Sequence, residues 1–375
     1  MDALSSTGRV GRMGRRRAER ACGMTTAGAP AKPRGMDTAS KPAGSVLVYA
    51  PDRGIGDLMW HLPTVRAIAA RTPEGQVVLA ARPSSRAAEV LAVEPSVSRV
   101  VYARHFSGAL KGVKEVLDFW RICREVRPRA VWILEKIGRP AQAAWLAGVP
   151  ERRGFGLGHG SQEQWLQGPF LPKAMRPDHR LDKLAAFEVL HGLKVDSREP
   201  GLLLDPKAVA AVQARFGRLP GPWLVLGVGA SEPARTWPAE RFAAVSQAVA
   251  DLFPTVFWLG GPNDAPRLEA SVAARFGSGR DILACDLPLD QAAALIALSA
   301  GFLGNDSGPL NVAASVGRPA IGLMGTSPVP AYSRWLSRLD GGEGRIADIS
   351  VDQAVAAVRT RFTDEAWANR DIPAA

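Results

Sequence analysis

Cysteine and histidine are scarce in this sequence of 375 residues. The three cysteines are far apart and form no Cys-x-x-Cys pair, which predicts reduced, packing thiols of the kind typical of cytosolic proteins. The five histidines are equally scattered, so no metal site with ligand spacing is indicated. A run of about 18 apolar residues is also missing, which argues against a membrane-spanning helix. These absences predict a cytoplasmic protein and leave peripheral contact with a membrane surface open.

Positive charge is distributed unevenly along the chain. Residues 1–44 hold nine lysine and arginine residues against three acids, and therefore carry +6 of the formal net charge of +11. This segment is rich in small residues and proline and has no apolar periodicity, which predicts a disordered basic extension. It could be an electrostatic arm for anionic lipid or nucleic acid, or a solvated tail upstream of a start at Met24 or Met36. The solvated tail is favoured, and no apolar segment follows the arginines as a secretory signal would require.

Length and composition indicate two globular domains. Domains of roughly 150 residues are usual, and a hydrophobic content of 46% with 22% charged residues is enough for two cores. We predict a domain over residues 45–200 and a second domain over residues 201–375.

Short apolar runs alternate with amphipathic segments in both predicted domains. In the first, strands are predicted at 45–50, 77–81, 98–102 and 130–134, and helices at 62–70, 87–93, 113–126 and 181–190. In the second, strands are predicted at 222–228, 256–259, 281–284, 300–304 and 320–324, and helices at 239–252, 265–276, 289–299, 308–316 and 352–361. Such alternation is typical of βαβ units, so the predicted fold is two doubly wound parallel sheets facing a cleft.

The first candidate site follows the first predicted strand. Gly54 and Gly56 allow a tight turn and close approach of a ligand. Asp57 comes next, at the start of a helix, where it is equally consistent with a helix N-cap and with a functional carboxylate.

The other two candidate sites follow strands of the second half. Gly229 and Ser231 with Arg235 would suit a phosphate group, although a lone arginine is more often a solvated surface residue. In the third, Asp306, Ser307 and Gly308 precede a helix of small residues, whose free N–H groups would suit a diphosphate; a plain capping sequence has the same composition.

Four blocks together resemble glycosyltransferase family 9, the ADP-heptose:lipopolysaccharide heptosyltransferases. The blocks are Gly56-Asp57-Leu58 with Pro63 and Arg66, Gly229-Ala230-Ser231 with Arg235-x-Trp237-Pro238, Leu259-Gly260-Gly261-Pro262-Asn263-Asp264, and Asn305-Asp306-Ser307-Gly308-Pro309 with Ala313, Gly317 and Pro319. The resemblance extends over roughly residues 45–340.

The resemblance implies a GT-B fold and an inverting transfer of heptose from ADP-heptose to a lipopolysaccharide core acceptor. It implies that Asp57 is the general base and that Gly54 and Gly56 belong to the acceptor loop. The donor diphosphate would lie against Gly229, Ser231, Arg235, Asp306, Ser307, Gly308 and Asn311, and Asn263 or Asp264 would contact the nucleotide ribose. No metal and no cofactor beyond the ADP-sugar donor are expected, in line with the lack of any Asp-x-Asp sequence. The expected partners are this donor and an anionic glycolipid, with no nucleic acid.

Two features depart from the family pattern. Asn311 stands where the final signature usually has histidine, so that a positive charge is lost from that position. Residues 154–179 show no acceptor-specific pattern. A GT-B transferase or epimerase that uses a UDP- or GDP-linked sugar therefore stands as the alternative, and a non-enzymatic binding protein is disfavoured because Asp57 is present.

Overall fold

The computed structural model describes residues 44–51, 54–230, 232–276, 279–325 and 333–363. The predicted basic extension, apart from Gly44, lies outside the described residues. The predicted site residue Ser231 lies outside them too.

The first half of the described chain forms a parallel sheet with the strand order β3-β2-β1-β4-β5. Its strands are β1 Val46–Tyr49, β2 Val77–Ala81, β3 Val97–Tyr102, β4 Ala130–Ile133 and β5 Glu151–Gly154. Its helices are α1 Ile55–Met59, α2 Leu62–Ala69, α3 Ala87–Val90, α4 Lys111–Val126, α5 Arg139–Leu146, α6 Gly160–Glu163 and α7 Arg180–Leu190. The central strands β1, β2 and β4 are buried along their whole length because helices cover both faces of the sheet.

The second half forms another parallel sheet, with the order β11-β10-β9-β6-β7-β8. Its strands are β6 Trp223–Gly227, β7 Thr255–Leu259, β8 Asp281–Ala284, β9 Gly301–Asn305, β10 Ala320–Met324 and β11 Leu336–Asp340. Its helices are α8 Pro206–Phe216, α9 Ala239–Ala248, α10 Ala265–Phe276, α11 Leu289–Leu298, α12 Gly308–Ser315 and α13 Val351–Thr363. The described chain therefore forms two parallel sheets, as the sequence predicts, and not one long sheet.

The connection between the two sheets is held by residues from both halves. Arg66 of α2 donates to the carbonyl oxygens of Pro200 and Gly201, and the Leu202 amide donates to Ser315 O at 2.8 Å. Glu199 accepts from Ser333 Oγ at 2.7 Å. The predicted domain boundary between residues 200 and 201 falls in this connection.

One apolar core is shared by the two halves. It joins Leu58 and Met59 of α1 to Leu310 and Val312 of α12. The helices meet without intervening space, since a Cβ atom on Gly308 would lie 3.0 Å from Ile55 Cγ2. The loop that carries Asp57 and the N-terminus of α12 are thereby held against each other.

Candidate active site

Asp57 lies in the first turn of α1, in a position that is not the helix cap. The N-cap is Gly54, whose extended backbone (φ −132°) begins the helix three residues before Asp57. The Asp57 side chain is about half exposed, and its Oδ1 lies 3.1 Å from Arg180 Nη1. An ion pair of this exposure contributes little to stability, and Asp57 lines the cleft.

The partner of Asp57 comes from the N-terminus of α7. His179 caps that helix, and its Nδ1 accepts from the Leu181 amide at 3.3 Å. Burial, helped by the neighbouring charge of Arg180, lowers the pKa of His179 below its usual value. A neutral His179 keeps Nδ1 available as the cap acceptor and leaves Arg180 as the cation beside Asp57.

Arg235 lies at the second predicted junction, at the end of a short turn of 3-10 helix, Pro233–Arg235. Its Nη1 lies 3.8 Å from Asp306 Oδ2 and its Nε lies 3.5 Å from Glu232 Oε2. About half of its side chain is exposed toward the cleft. These long, solvent-exposed pairs are weak, so an anion could displace them and bind the guanidinium.

Asn305 fixes the second and third junctions to each other. It is fully buried at the end of β9; its Oδ1 accepts from the Trp237 amide at 2.9 Å and its Nδ2 donates to Val228 O at 2.9 Å. Both ends of the amide are therefore satisfied by backbone groups, which identifies Asn305 as a structural residue of the site.

The third junction ends at the N-terminus of α12. Ser307 is its N-cap, but makes no capping bond with its side chain to the described residues. The Ser307 Oγ atom is buried and has no hydrogen-bond partner among the described residues. A buried hydroxyl at a helix N-terminus is suited to donate to an anion, together with the free N–H groups of the first turn.

Asn311 connects α12 to the Asp57 helix. Its Oδ1 accepts from Trp60 Nε1 at 3.1 Å, and Trp60 follows α1 directly. A Cβ atom on Gly56 would lie 2.5 Å from Asn311 Nδ2, so only glycine fits there without displacing the asparagine. The amide at this position thus joins the two halves of the site.

Asp264 orders the loop after β7. Its Oδ2 accepts from the Gly261 amide at 2.9 Å, and Arg267 lies 3.3 Å from its Oδ1. Asp264 lines the cleft, whereas Asn263 is exposed and is not among the residues that line it. The structure therefore brings only Asp264 of this pair to the cleft.

The three junctions meet in one cleft of about 870 Å³. The predicted residues that line it are Gly54, Gly56, Asp57, Gly229, Arg235, Asp264, Asp306, Ser307, Gly308 and Asn311. The sequence did not indicate six further polar residues that line it, which are Trp60, Ser84, Arg86, His179, Arg180 and Glu232. In the parts of the chain that the structure describes, no group of three or more histidine, cysteine, aspartate or glutamate residues could hold a metal ion.

A family model described as glycosyltransferase family 9 (heptosyltransferase) matches residues 140–338, more than half of the chain. The chain belongs to glycosyltransferase family 9. The matched segment contains the junctions at Arg235 and at the α12 N-terminus, and it begins after Asp57. The chain is accordingly a glycosyltransferase.

Curated and solved relatives of this family 9 enzyme agree with that assignment. It is 24% identical over 302 residues to the lipopolysaccharide heptosyltransferase 2 of Salmonella typhimurium, which covers 75% of this chain and 83% of the relative. The structure of a family 9 glycosyltransferase from Veillonella parvula matches with a TM-score of 0.70 at 18% identity, over 86% of this chain and 98% of the other. That of the E. coli ADP-heptose lipopolysaccharide heptosyltransferase II matches with a TM-score of 0.67 at 22% identity, over 86% and 99%. The two parallel sheets thus form a GT-B fold, which confirms the predicted fold class.

Proposed function

We propose that this family 9 enzyme transfers a heptose from ADP-heptose to a lipopolysaccharide core acceptor, with inversion at the anomeric carbon. The family and the names of the relatives support the sugar, the nucleotide and the acceptor. The observation that carries the chemistry is a half-exposed carboxylate, Asp57, that lines the same cleft as the N-terminus of α12.

In the proposed reaction, Asp57 removes the proton from the acceptor hydroxyl. The oxygen then forms a bond to the anomeric carbon while the bond from that carbon to the diphosphate oxygen breaks. The electron pair of the broken bond leaves with ADP, and the proton stays on the Asp57 carboxyl. Positioned general bases of this kind contribute about 10²- to 10⁴-fold to a rate.

The leaving diphosphate gains negative charge as its bond to the sugar breaks. Arg235, the Ser307 hydroxyl and the N–H groups that begin α12 are the proposed donors to that charge. The backbone at both junctions is held in place, because Asn305 accepts from the Trp237 amide and donates to the Val228 carbonyl oxygen. Donors that need no reorganisation stabilise a developing charge most effectively. These donors would stabilise the leaving diphosphate without a metal ion, so metal independence is part of the proposal.

Arg180 is proposed to hold Asp57 correctly oriented before the acceptor enters. Its Nη1 lies 3.1 Å from Asp57 Oδ1, close enough to fix the direction of the carboxylate. An anionic acceptor would compete for the same guanidinium, so its arrival would release the carboxylate toward the hydroxyl.

The proposed acceptor is a glycolipid, so the enzyme would work at the cytoplasmic face of the inner membrane as a peripheral protein. In the described portion of the chain, no helix is long and apolar enough to cross a bilayer.

A thermal-shift comparison of ADP, UDP and GDP tests the donor. A ligand at 100 times its dissociation constant stabilises the folded state by about 2.7 kcal/mol, and we expect ADP to raise the melting temperature most. Arg235→Ala should reduce that shift, whereas Arg218→Ala, an exposed arginine that does not line the cleft, should not. A larger shift with UDP or GDP would support the alternative nucleotide sugars instead. Assay with ADP-heptose and analysis of the anomeric configuration of the product then tests the transfer and its inversion.

A further inference from the structure

Helix α4 exposes an apolar stripe on the surface of the first half. Leu110, Val113 and Leu117 are 62%, 58% and 49% exposed. They are spaced by three and four residues, so they lie on one side of the helix. The opposite side buries Phe119, Ile122 and Cys123 in the core beneath the sheet. The fold uses the buried side of α4 for packing, and the apolar stripe lies on the opposite, exposed side.

Cations lie within this stripe. Lys114 and Arg121 follow Leu110 and Leu117 by four positions, which places them on the same side, and both are exposed. Arg124, three positions further on, lies over the Trp120 ring at 6.0 Å from its centroid. Within the described residues, no ion pair involves Lys114 or Arg121.

The acids of α4 are engaged by the protein itself. Glu115 pairs with His105 at 2.9 Å and with Arg139 at 2.5 Å. Asp118 accepts from the Arg104 amide at 2.8 Å, and Glu125 lies 3.1 Å from Arg99. The charge that the stripe presents to a partner is consequently positive.

The neighbouring helix α5 continues the same type of surface. It buries Ala141 and Ala144 in the core that also receives α4, and it exposes Trp145 and Leu146. The Trp145 ring packs against Trp165, with centroids 4.6 Å apart and ring planes tilted by 45°. An exposed indole beside aliphatic and basic side chains is characteristic of surfaces that lie at a bilayer boundary.

The position of the stripe relates it to the cleft. Helix α4 follows β3 just as α1 follows β1, and the two strands run in parallel within one sheet. Leu110 and Asp57 are therefore at the same edge of that sheet. Helix α4 packs on the face of the sheet opposite to α1, because Phe119 and Ile122 lie in one core and Leu58 and Met59 lie in the other. The stripe and Asp57 therefore share the carboxyl end of the sheet and not one face of it.

We propose that the stripe of Leu110, Val113 and Leu117, with Lys114 and Arg121, docks the enzyme on an anionic lipid bilayer. The apolar side chains enter the headgroup and acyl boundary while the two cations contact lipid phosphates. This assignment rests on the proposed function, because a membrane-bound acceptor calls for an enzyme that rests on the lipid surface. It does not involve the N-terminal segment, whose charge lies elsewhere in the sequence.

Flotation of the full-length chain with lipid vesicles tests the surface. Vesicles of phosphatidylethanolamine with phosphatidylglycerol are compared with vesicles of phosphatidylcholine, in the absence of donor and acceptor. We expect binding to the anionic vesicles only. The triple variant Leu110→Ser, Val113→Ser, Leu117→Ser should lower the partition coefficient at least tenfold. The double variant Lys114→Glu, Arg121→Glu should lower it by at least ~10-fold, since each basic residue near an anionic surface is worth about fivefold.

Two control variants match these substitutions at other exposed positions. Val189→Ser replaces an apolar side chain of α7 that is 82% exposed, and Arg218→Glu reverses an exposed charge of the second half. Both should bind anionic vesicles like the unmodified chain. Circular dichroism and melting temperatures establish that every variant is folded.

Several results would overturn the assignment. The first is that the unmodified chain does not bind the anionic vesicles. The second is that the triple variant binds them unchanged, as expected if the basic N-terminal segment alone held the lipid. The third is that the triple variant changes its oligomeric state, which would make the stripe a protein interface. A different experiment tests the proposed function independently of the membrane surface. Transfer to a detergent-dispersed acceptor needs no bilayer, so its absence in the unmodified chain would refute the reaction while the vesicle result stood.

Discussion

At the residue scale, Asp57 shows how position along a helix decides what a carboxylate can do. The carboxylate of an N-cap aspartate accepts hydrogen bonds from backbone N–H groups. In this chain Gly54 is the N-cap, and Asp57 lies three residues later, in the first turn of α1. Its described neighbour is Arg180, from a helix more than a hundred residues later. The geometry excludes the capping interpretation for α1, one of the two that the spacing alone left open, and the role of Asp57 as general base remains a proposal.

Asp57→Asn is expected to lower kcat by at least about 100-fold, because the amide keeps the shape of the side chain but takes up no proton. The affinity for ADP, measured by calorimetry, should change less than about twofold. Asp182→Asn is the control, since Asp182 is a first-turn carboxylate on the neighbouring helix α7 and does not line the cleft. Near-normal kcat in the Asp57 variant would refute its role as the base.

At the element scale, the contact between α1 and α12 sets the distance between Asp57, the proposed base, and the proposed donor site at the α12 N-terminus. Trp60 and Asn311 bond across it, and Gly56 admits Asn311 because it has no Cβ. A glycine that at first suggests ligand approach thus also serves helix packing. Asn311, at the position where the sequence analysis expects a histidine, uses its amide oxygen to accept a hydrogen bond from the Trp60 indole.

Trp60→Phe is expected to lower the melting temperature by a few degrees and to lower kcat. Phenylalanine preserves most of the packing but removes the indole donor from the half-buried amide oxygen of Asn311, and a hydrogen bond of this kind has a net worth of about 0.5–1.5 kcal/mol. Differential scanning calorimetry and steady-state kinetics measure the two effects. Trp165→Phe, in a ring that packs against Trp145 on the outer surface, should affect neither as strongly. Equal effects in both variants would show that the cross-helix bond is unimportant.

The same scale shows where the sequence predicted the fold and where it did not. Buried strands such as β2 and β10 match their predicted bounds, because continuous apolar runs are their direct signature. The edge strands β5 and β11 were not predicted, since half of each faces solvent and their residues are largely polar. Helix α8 was also missed, although Asp205 and Pro206 form a typical start, with Asp205 Oδ1 accepting from the Lys207 amide at 2.8 Å.

Some residues of the candidate site could be located from the sequence, and others could not. Glycine turns and acids that follow a buried strand can be located from the sequence, because parallel strands end at one edge. Arg180 could not be found this way, since nothing in the local sequence indicates that the N-terminus of α7 folds back onto the α1 turn. Arg86 was missed for a related reason; it adopts a left-handed backbone (φ 48°) between two short helices, where no periodic pattern marks it.

At the scale of the whole molecule, stability should depend on pH through a partly buried histidine. His191 packs against Phe187 and Trp132, with ring centroids 4.3 Å and 5.4 Å away. Burial, with the charges of Arg153 and Arg71, lowers its pKa to about 4. Between that value and about 6.5 the unfolded chain binds a proton that the folded chain does not, so stability falls as the pH falls through this window.

Denaturant unfolding at pH values from 7 to 4.5 measures this effect. One such histidine can contribute a slope of at most about 1.4 kcal/mol per pH unit, less here because the ring is partly exposed. His191→Asn should have a shallower dependence than the unmodified chain. Some slope should persist from His179, whose pKa burial also lowers. Superimposable pH profiles for the two proteins would contradict this origin.

The apolar core that the two halves share also has a consequence for biosynthesis. Leu58 and Met59 of α1 receive their cover from Leu310 and Val312 of α12, which are translated roughly 250 residues later. At about 5–20 residues per second, the ribosome needs on the order of 10–50 s to supply that cover. During this interval the nascent first half presents an uncovered apolar face. Chaperone protection on the ribosome would thus matter most before the last third of the chain has emerged.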